Sequence, residues 1–164
     1  MYFKRKTTVA VAALAAFFAF GATAEAAITV HVDLWDKMDG KDMSTDMGYG
    51  MAHAADAKNA PMGVKVSIPY VPAGQVTFAV KNSSPSLIHE MIVMPLKNPS
   101  KAIPYDAKEK AVNEDEAGDL GEVSELDPGA SGSLTLTLKP GEYLLYCNVP
   151  GHFASGMWTT IKVH

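Results

Sequence analysis

Seven short stretches of the chain alternate apolar and polar residues with a period of two: ITVHVDLW (28–35), VKVSI (64–68), VTFAVKN (76–82), IHEMIVM (88–94), GSLTLTL (132–138), EYLLYC (142–147) and WTTIKVH (158–164). Residues two apart in a strand share a face, so this rhythm, rich in Val, Ile, Thr and aromatics, predicts half-buried β-strands. PAG, NSSP, DPGASG and KPGEY fall at their borders and carry turn-forming residues. Seven to eight strands of this size predict an all-β chain folded as a Greek-key β-sandwich.

Two segments break the rhythm. Residues 36–63 are rich in Met, Asp and Gly and read as a long loop between strands; Met43, Met47 and Met51 are four apart, but Gly48 and Gly50 interrupt any helix. Residues 104–129 form an acidic insertion, expected to lie over one edge of the sandwich, with a helical turn around DAKEKAV.

Residues 1–26 stand apart from the fold. Lys4, Arg5 and Lys6 precede the apolar run TTVAVAALAAFFAF and then small residues, the layout of a cleaved secretory signal. The run is shorter than the ~20 residues needed to span a bilayer, so no stable membrane insertion is expected after cleavage, behind either Ala24 or Ala26. Residues 27–164 then make one domain of ordinary size, exported to the periplasm and expected to be monomeric.

Cleavage changes the charge as well. Fourteen basic and 18 acidic residues become 11 and 17, a net charge near −6, which disfavours nucleic acid and suits a basic protein partner. Exported chains use cysteines in pairs, yet Cys147 is alone. It is buried and inert, bonded to another chain, or held by a metal.

The neighbours of Cys147 favour the metal. In CNVPGHFASGM, His152 and Met157 follow it on a single loop between two strands, and Pro150 and Gly151 let that loop fold back on itself. A thiolate with imidazoles suits copper or zinc, whereas a thioether suits copper as a weak axial ligand. The site then needs a second imidazole, and His89 in LIHEMIV is the candidate, because a sandwich brings its strand beside the two C-terminal ones.

CNVPGHFASGM with an upstream HEMIV resembles the cupredoxin family, the single-domain type 1 blue copper proteins that include plastocyanin, azurin, auracyanin and rusticyanin. The strands from Val64 to His164 match the family's extent. The resemblance implies a Greek-key β-sandwich, one type 1 copper ion held by His89, Cys147, His152 and Met157, and single-electron transfer with a protein partner such as a cytochrome or oxidase. It implies no enzymatic activity, since about 138 residues leave no room for a second copper domain and the chain lacks the His-Cys-His tripeptide of multicopper oxidases.

One position departs from the family. Many members carry Asn directly after the upstream His, tying the ligand-bearing loops together; here it is Glu90, read as solvent-facing, with Asn82, Ser83, Ser84 or Ser86 as replacements for the missing hydrogen bond. Electrons are expected to enter and leave at the His152 ring edge, across an apolar patch of Pro150, Gly151 and Phe153. Met38, Met43, Met47, Met51, His53 and Met62 admit two readings: packing at one end of the sandwich, or an accessory Cu(I) site in a copper carrier or copper-tolerance protein. The acidic insertion likewise reads as a docking face or as a solvated surface.

Overall fold

A computed structural model describes residues 27–37, 43 and 45–164. The secretory signal and Met38 therefore lie outside the described residues. All seven predicted strands are present. β1 (Ile28–Asp36), β2 (Met62–Val66), β4 (Gly74–Asn82) and β9 (Ser131–Leu138) form a four-stranded sheet in the order β2-β1-β4-β9. β3 (Tyr70–Val71), β11 (Trp158–Val163), β10 (Gly141–Tyr146), β5 (His89–Pro95) and β8 (Gly121–Leu126) form a five-stranded sheet in the order β3-β11-β10-β5-β8. The chain changes sheet at β2 to β3, β3 to β4, β4 to β5, β8 to β9 and β9 to β10, the crossed connectivity of a Greek-key sandwich. Pairing is mixed, since β1 runs parallel to β4 and antiparallel to β2.

The period-two pattern builds the core between the sheets. Val30, Val32 and Leu34 of β1 and Val76, Phe78 and Val80 of β4 meet Met91 and Val93 of β5, Tyr143 and Leu145 of β10, and Ile161 and Val163 of β11. β5 and β10 do not alternate cleanly, and the reason is a second apolar cluster on the outer face of their sheet. There Ile92, Met94, Leu144 and Tyr146 are covered by Phe153, Val112 and Leu96, with Tyr49, Met51 and Tyr105 packed around them. A strand covered on both faces reads as a continuous apolar run, as LLY and MIVM do.

The two rhythm-breaking segments supply part of that cover, through Tyr49, Met51, Tyr105 and Val112. Residues 36–63 contain turns and a short 3₁₀ helix, Ala54–Asn59, rather than loop alone. The acidic insertion corrects the expectation of a helical turn at DAKEKAV, because that stretch makes the hairpin β6 (Tyr105–Asp106) and β7 (Ala111–Val112). The helical turn is α1 (Glu114–Ala117), capped by the Asn113 side chain accepting from the Glu116 amide. GEVSEL forms β8, an edge strand paired with β5, whose exposed Glu122 and Glu125 guard the open edge against further pairing.

Candidate metal centre

Strand parity places the candidate ligands. The inward rows Val30-Val32-Leu34, Val76-Phe78-Val80, Met91-Val93 and Tyr143-Leu145, each continued by two residues, arrive at Asp36, Asn82, His89 and Cys147. All four lie at the same end of the sandwich, because β1 and β4 finish there, β5 starts there and β10 finishes there. Met157 has the same parity as Ile161 and Val163, four residues before Ile161 and just ahead of β11.

The loop before β5 is built to deliver His89. Asn82, fully buried, donates from Nδ2 to the carbonyls of Leu87 and Leu126, both at 2.8 Å, and accepts from the Ser84 amide at 2.9 Å. Ser84 Oγ in turn accepts from the Leu87 amide at 2.8 Å. The loop from Cys147 to Met157 closes on itself: the Cys147 amide donates to the Met157 carbonyl and the Met157 amide to the His152 carbonyl, each at 3.1 Å. Gly151 and Gly156 take left-handed backbone, φ +87° and +91°, which glycine adopts without strain.

These two loops bring three donors together. Nδ1 of His89 and Nδ1 of His152 are 3.2 Å apart, Sγ of Cys147 is 3.4 Å from Nδ1 of His152, and all three lie within 4.8 Å of one another. His89 and Cys147 are 0% exposed, His152 is 5% and Met157 is 0%. Met157 packs in the same apolar cluster as Cys147. Metal bonds of about 2.0 Å to nitrogen and 2.3 Å to sulfur put ligand atoms about 3.5 Å apart, so this spacing fits a single ion. Two imidazoles and one thiol, with a buried thioether in the adjoining core, are a soft donor set that suits copper.

Burial governs the protonation of the donors. It pushes the Cys147 thiol up to about 12, so the metal-free centre holds a thiol and metal binding releases its proton. Burial, reinforced by the neighbouring His89, pulls His152 down to about 4. His89 is also pulled down by burial, against the opposing pull of Asp36. Both rings therefore stay neutral and ready to ligate at ordinary pH.

Two residues around the donors have roles the strand pattern alone does not assign. Glu90 is not solvent-facing: it is half-buried, its Oε1 accepts from the Asn148 amide at 3.0 Å, and its own amide donates to Cys147 Sγ at 3.5 Å. Glu90 thus ties the two ligand-bearing segments together, the task expected of Asn82, Ser83, Ser84 or Ser86. Their hydrogen bonds instead shape the loop before His89 and, through Ser83 Oγ, reach Asp33. Burial and surrounding carboxylates push Glu90 up to about 7, against the Asn148 bond. Asp36 accepts from Nε2 of His89 at 3.0 Å, with both side chains wholly shielded from solvent. Parity was the available signal for Asp36, which continues the inward row of β1.

The expected apolar patch is also corrected. Phe153 is 0% exposed and Gly151 is buried; only Pro150 of the three faces solvent. Residues 45–60 lie across the loop: the Met47 amide donates to the Ala154 carbonyl at 2.9 Å, and Trp158 Nε1 donates to the Met47 carbonyl at 2.7 Å. From the insertion, the Lys110 carbonyl accepts from the Gly151 amide at 2.8 Å, and Tyr105 lies on Phe153 with ring centroids 5.9 Å apart.

A Greek-key sandwich with a buried His-Cys-His donor set at one end defines a cupredoxin-like blue copper protein, with a site for one type 1 copper ion. Residues 60–164 match the sulfocyanin (SoxE) domain, and the chain belongs to that family. Rusticyanin from Thiobacillus ferrooxidans shares the fold at 18% identity and TM-score 0.53, the match covering 85% of this chain and 79% of that one. Auracyanin B does so at 22% identity and TM-score 0.51, covering 84% and 89%. No curated protein sequence matches the chain.

Proposed function

We propose that the protein is a periplasmic one-electron carrier in which His89, Cys147, His152 and Met157 ligate the copper. The observation that supports this most directly is the convergence of His89, Cys147 and His152 in a closed, buried cage. Copper there supplies a reversible one-electron couple. The chain's part is to hold the donors in one arrangement, through the loop bonds between Cys147, His152 and Met157, so that little need move when the charge changes. Both imidazoles are kept neutral by burial, and solvent is excluded.

The partner is a basic redox protein, drawn to the exposed carboxylates Asp115, Glu116, Asp119, Glu122 and Glu125. Among the described residues no helix is long and apolar enough to cross a membrane. No catalytic step is assigned to the chain.

An intense visible band in the oxidised protein, lost in Cys147→Ala, is the expected result. A copper-loaded protein without a Cys-dependent band overturns the assignment. Met43 is 45% exposed and lies with Met51 along a groove beside the ligand loop, which keeps the copper-carrier reading testable. More than one Cu(I) per chain, with the excess lost on replacing Met43, Met47 and Met51, selects the carrier; one copper with rapid oxidation and reduction selects the shuttle. Met62, fully buried in the core, and Met47, whose backbone braces the ligand loop, already have structural work to do.

A further inference from the structure

Asp36 is the last residue of β1, and a carboxylate is an expensive group to shield from water unless it is paired. Its backbone is anchored on both sides: Asp36 pairs in register with Met62 of β2, and the Lys37 amide donates to the Pro61 carbonyl at 2.8 Å. A rigid strand end therefore carries the charge to the far nitrogen of His89, 3.0 Å away. The near nitrogen, Nδ1, is the one that faces His152. With the His89 proton on Nε2 and donated to Asp36, Nδ1 is left with its lone pair turned toward the other donors.

We propose that Asp36 is a positioning residue for the copper centre, fixing the tautomer and orientation of His89 and lowering the reduction potential by placing a negative charge one imidazole away from the metal. The physical reasoning has two parts. A hydrogen-bonded carboxylate locks the ring and makes its free nitrogen a better donor. A fixed negative charge in a dry site favours the doubly charged ion over the singly charged one, so it stabilises the oxidised state more. Glu90, a half-buried carboxylate close to Cys147, hydrogen-bonds the Asn148 amide rather than a ligand ring, whereas Asp36 meets the imidazole of His89 directly.

The proposal rests on the copper reading of the site, and its test is read in both copper-loaded and metal-free protein. In Asp36→Asn, which keeps an acceptor but loses the charge, the visible band is retained. The reduction potential rises by the equivalent of a tenfold loss of preference for the oxidised ion, about 59 mV for a one-electron couple. Asp36→Glu recovers part of the shift. In metal-free wild type, long-range proton–nitrogen NMR finds the His89 proton on Nε2 and slow to exchange; in Asp36→Ala that protection is lost. An unchanged potential in folded, blue Asp36→Asn overturns the charge effect, and an Nδ1 proton on His89 in metal-free wild type overturns the positioning. If Asp36→Ala does not fold, the Asn variant and the wild-type tautomer still decide. Failure of the copper reading has a different signature, a wild type with no Cys-dependent band, and leaves the NMR test intact.

Discussion

His89 and His152 lie buried with their Nδ1 atoms 3.2 Å apart, yet their surroundings differ in kind. His89 is backed by a shielded carboxylate at the end of a strand, which opposes the effect of burial on its pKa. His152 sits on a closed loop under a cover of apolar side chains and, among the described residues, has no carboxylate hydrogen bond; burial and its neighbour His89 drive it down to about 4. One imidazole is held by charge and the other by packing. Changes on the two sides should therefore register in different observables, the reduction potential for the first and folding stability for the second.

The largest effect is expected from Phe153→Ala, which removes a 0% exposed ring from the outer cluster beside His152. A loss of about 3–5 kcal/mol in denaturant unfolding follows from the cavity and the lost burial. A smaller but sharper test uses the two loop glycines. A Cβ at Gly156 stands 2.6 Å from Cβ of the buried Ala60, whereas one at Gly151 meets the flexible end of Met43 at 2.7 Å. Both substitutions force a side chain into left-handed backbone, at roughly 1–3 kcal/mol, and Gly156→Ala should cost more because Ala60 cannot step aside. Equal costs would show that backbone strain alone decides, and that the cover packs less tightly than its contacts indicate.

The smallest effect concerns pH in the metal-free protein. His152, lowered from 6.5 to about 4, leaves the unfolded chain binding more protons between those values, so it makes stability rise with pH there. Glu90, raised from 4.5 to about 7, leaves the folded chain binding more protons in its window, so its contribution is complete below pH 4.5 and is lost as pH rises toward 7. The two slopes oppose each other. Glu90→Gln removes the second, and the unfolding free energy from denaturant titrations should then climb between pH 4.5 and 6.5 by at most about 1.4 kcal/mol per unit for each titrating group. A flat profile in this variant would mean that His152 is not held neutral by the loop.

Much of this was legible in the sequence because strand parity and ligand spacing are local signals. The row Tyr143-Leu145-Cys147 and the run from Cys147 to Met157 each announce a strand end and a loop with three donors. What escaped was set by tertiary partners. Glu90 looked like an outward residue because parity puts it opposite His89, but β10 and the insertion bury that face as well. β8 was hidden because Val123 is its only buried side chain, so GEVSEL carries too little apolar signal to mark a strand. Asp36 was hidden by its position between a clear strand and a segment without periodicity. The cover over His152 comes from a stretch whose packing depends on single contacts, such as Met47 with Ala154 and Trp158, and no repeating pattern records those.

The burial of His89, Cys147, His152 and Met157 also bears on how the holoprotein is made. An ion arriving from solvent at the folded chain finds each of these side chains no more than 5% exposed. Loading then requires a passing local opening, of which the segment 45–60 and the ligand loop beneath it are the natural unit. Uptake by folded protein should accordingly saturate at a rate set by that opening, independent of added copper. Metal captured before the cover closes would avoid the delay altogether.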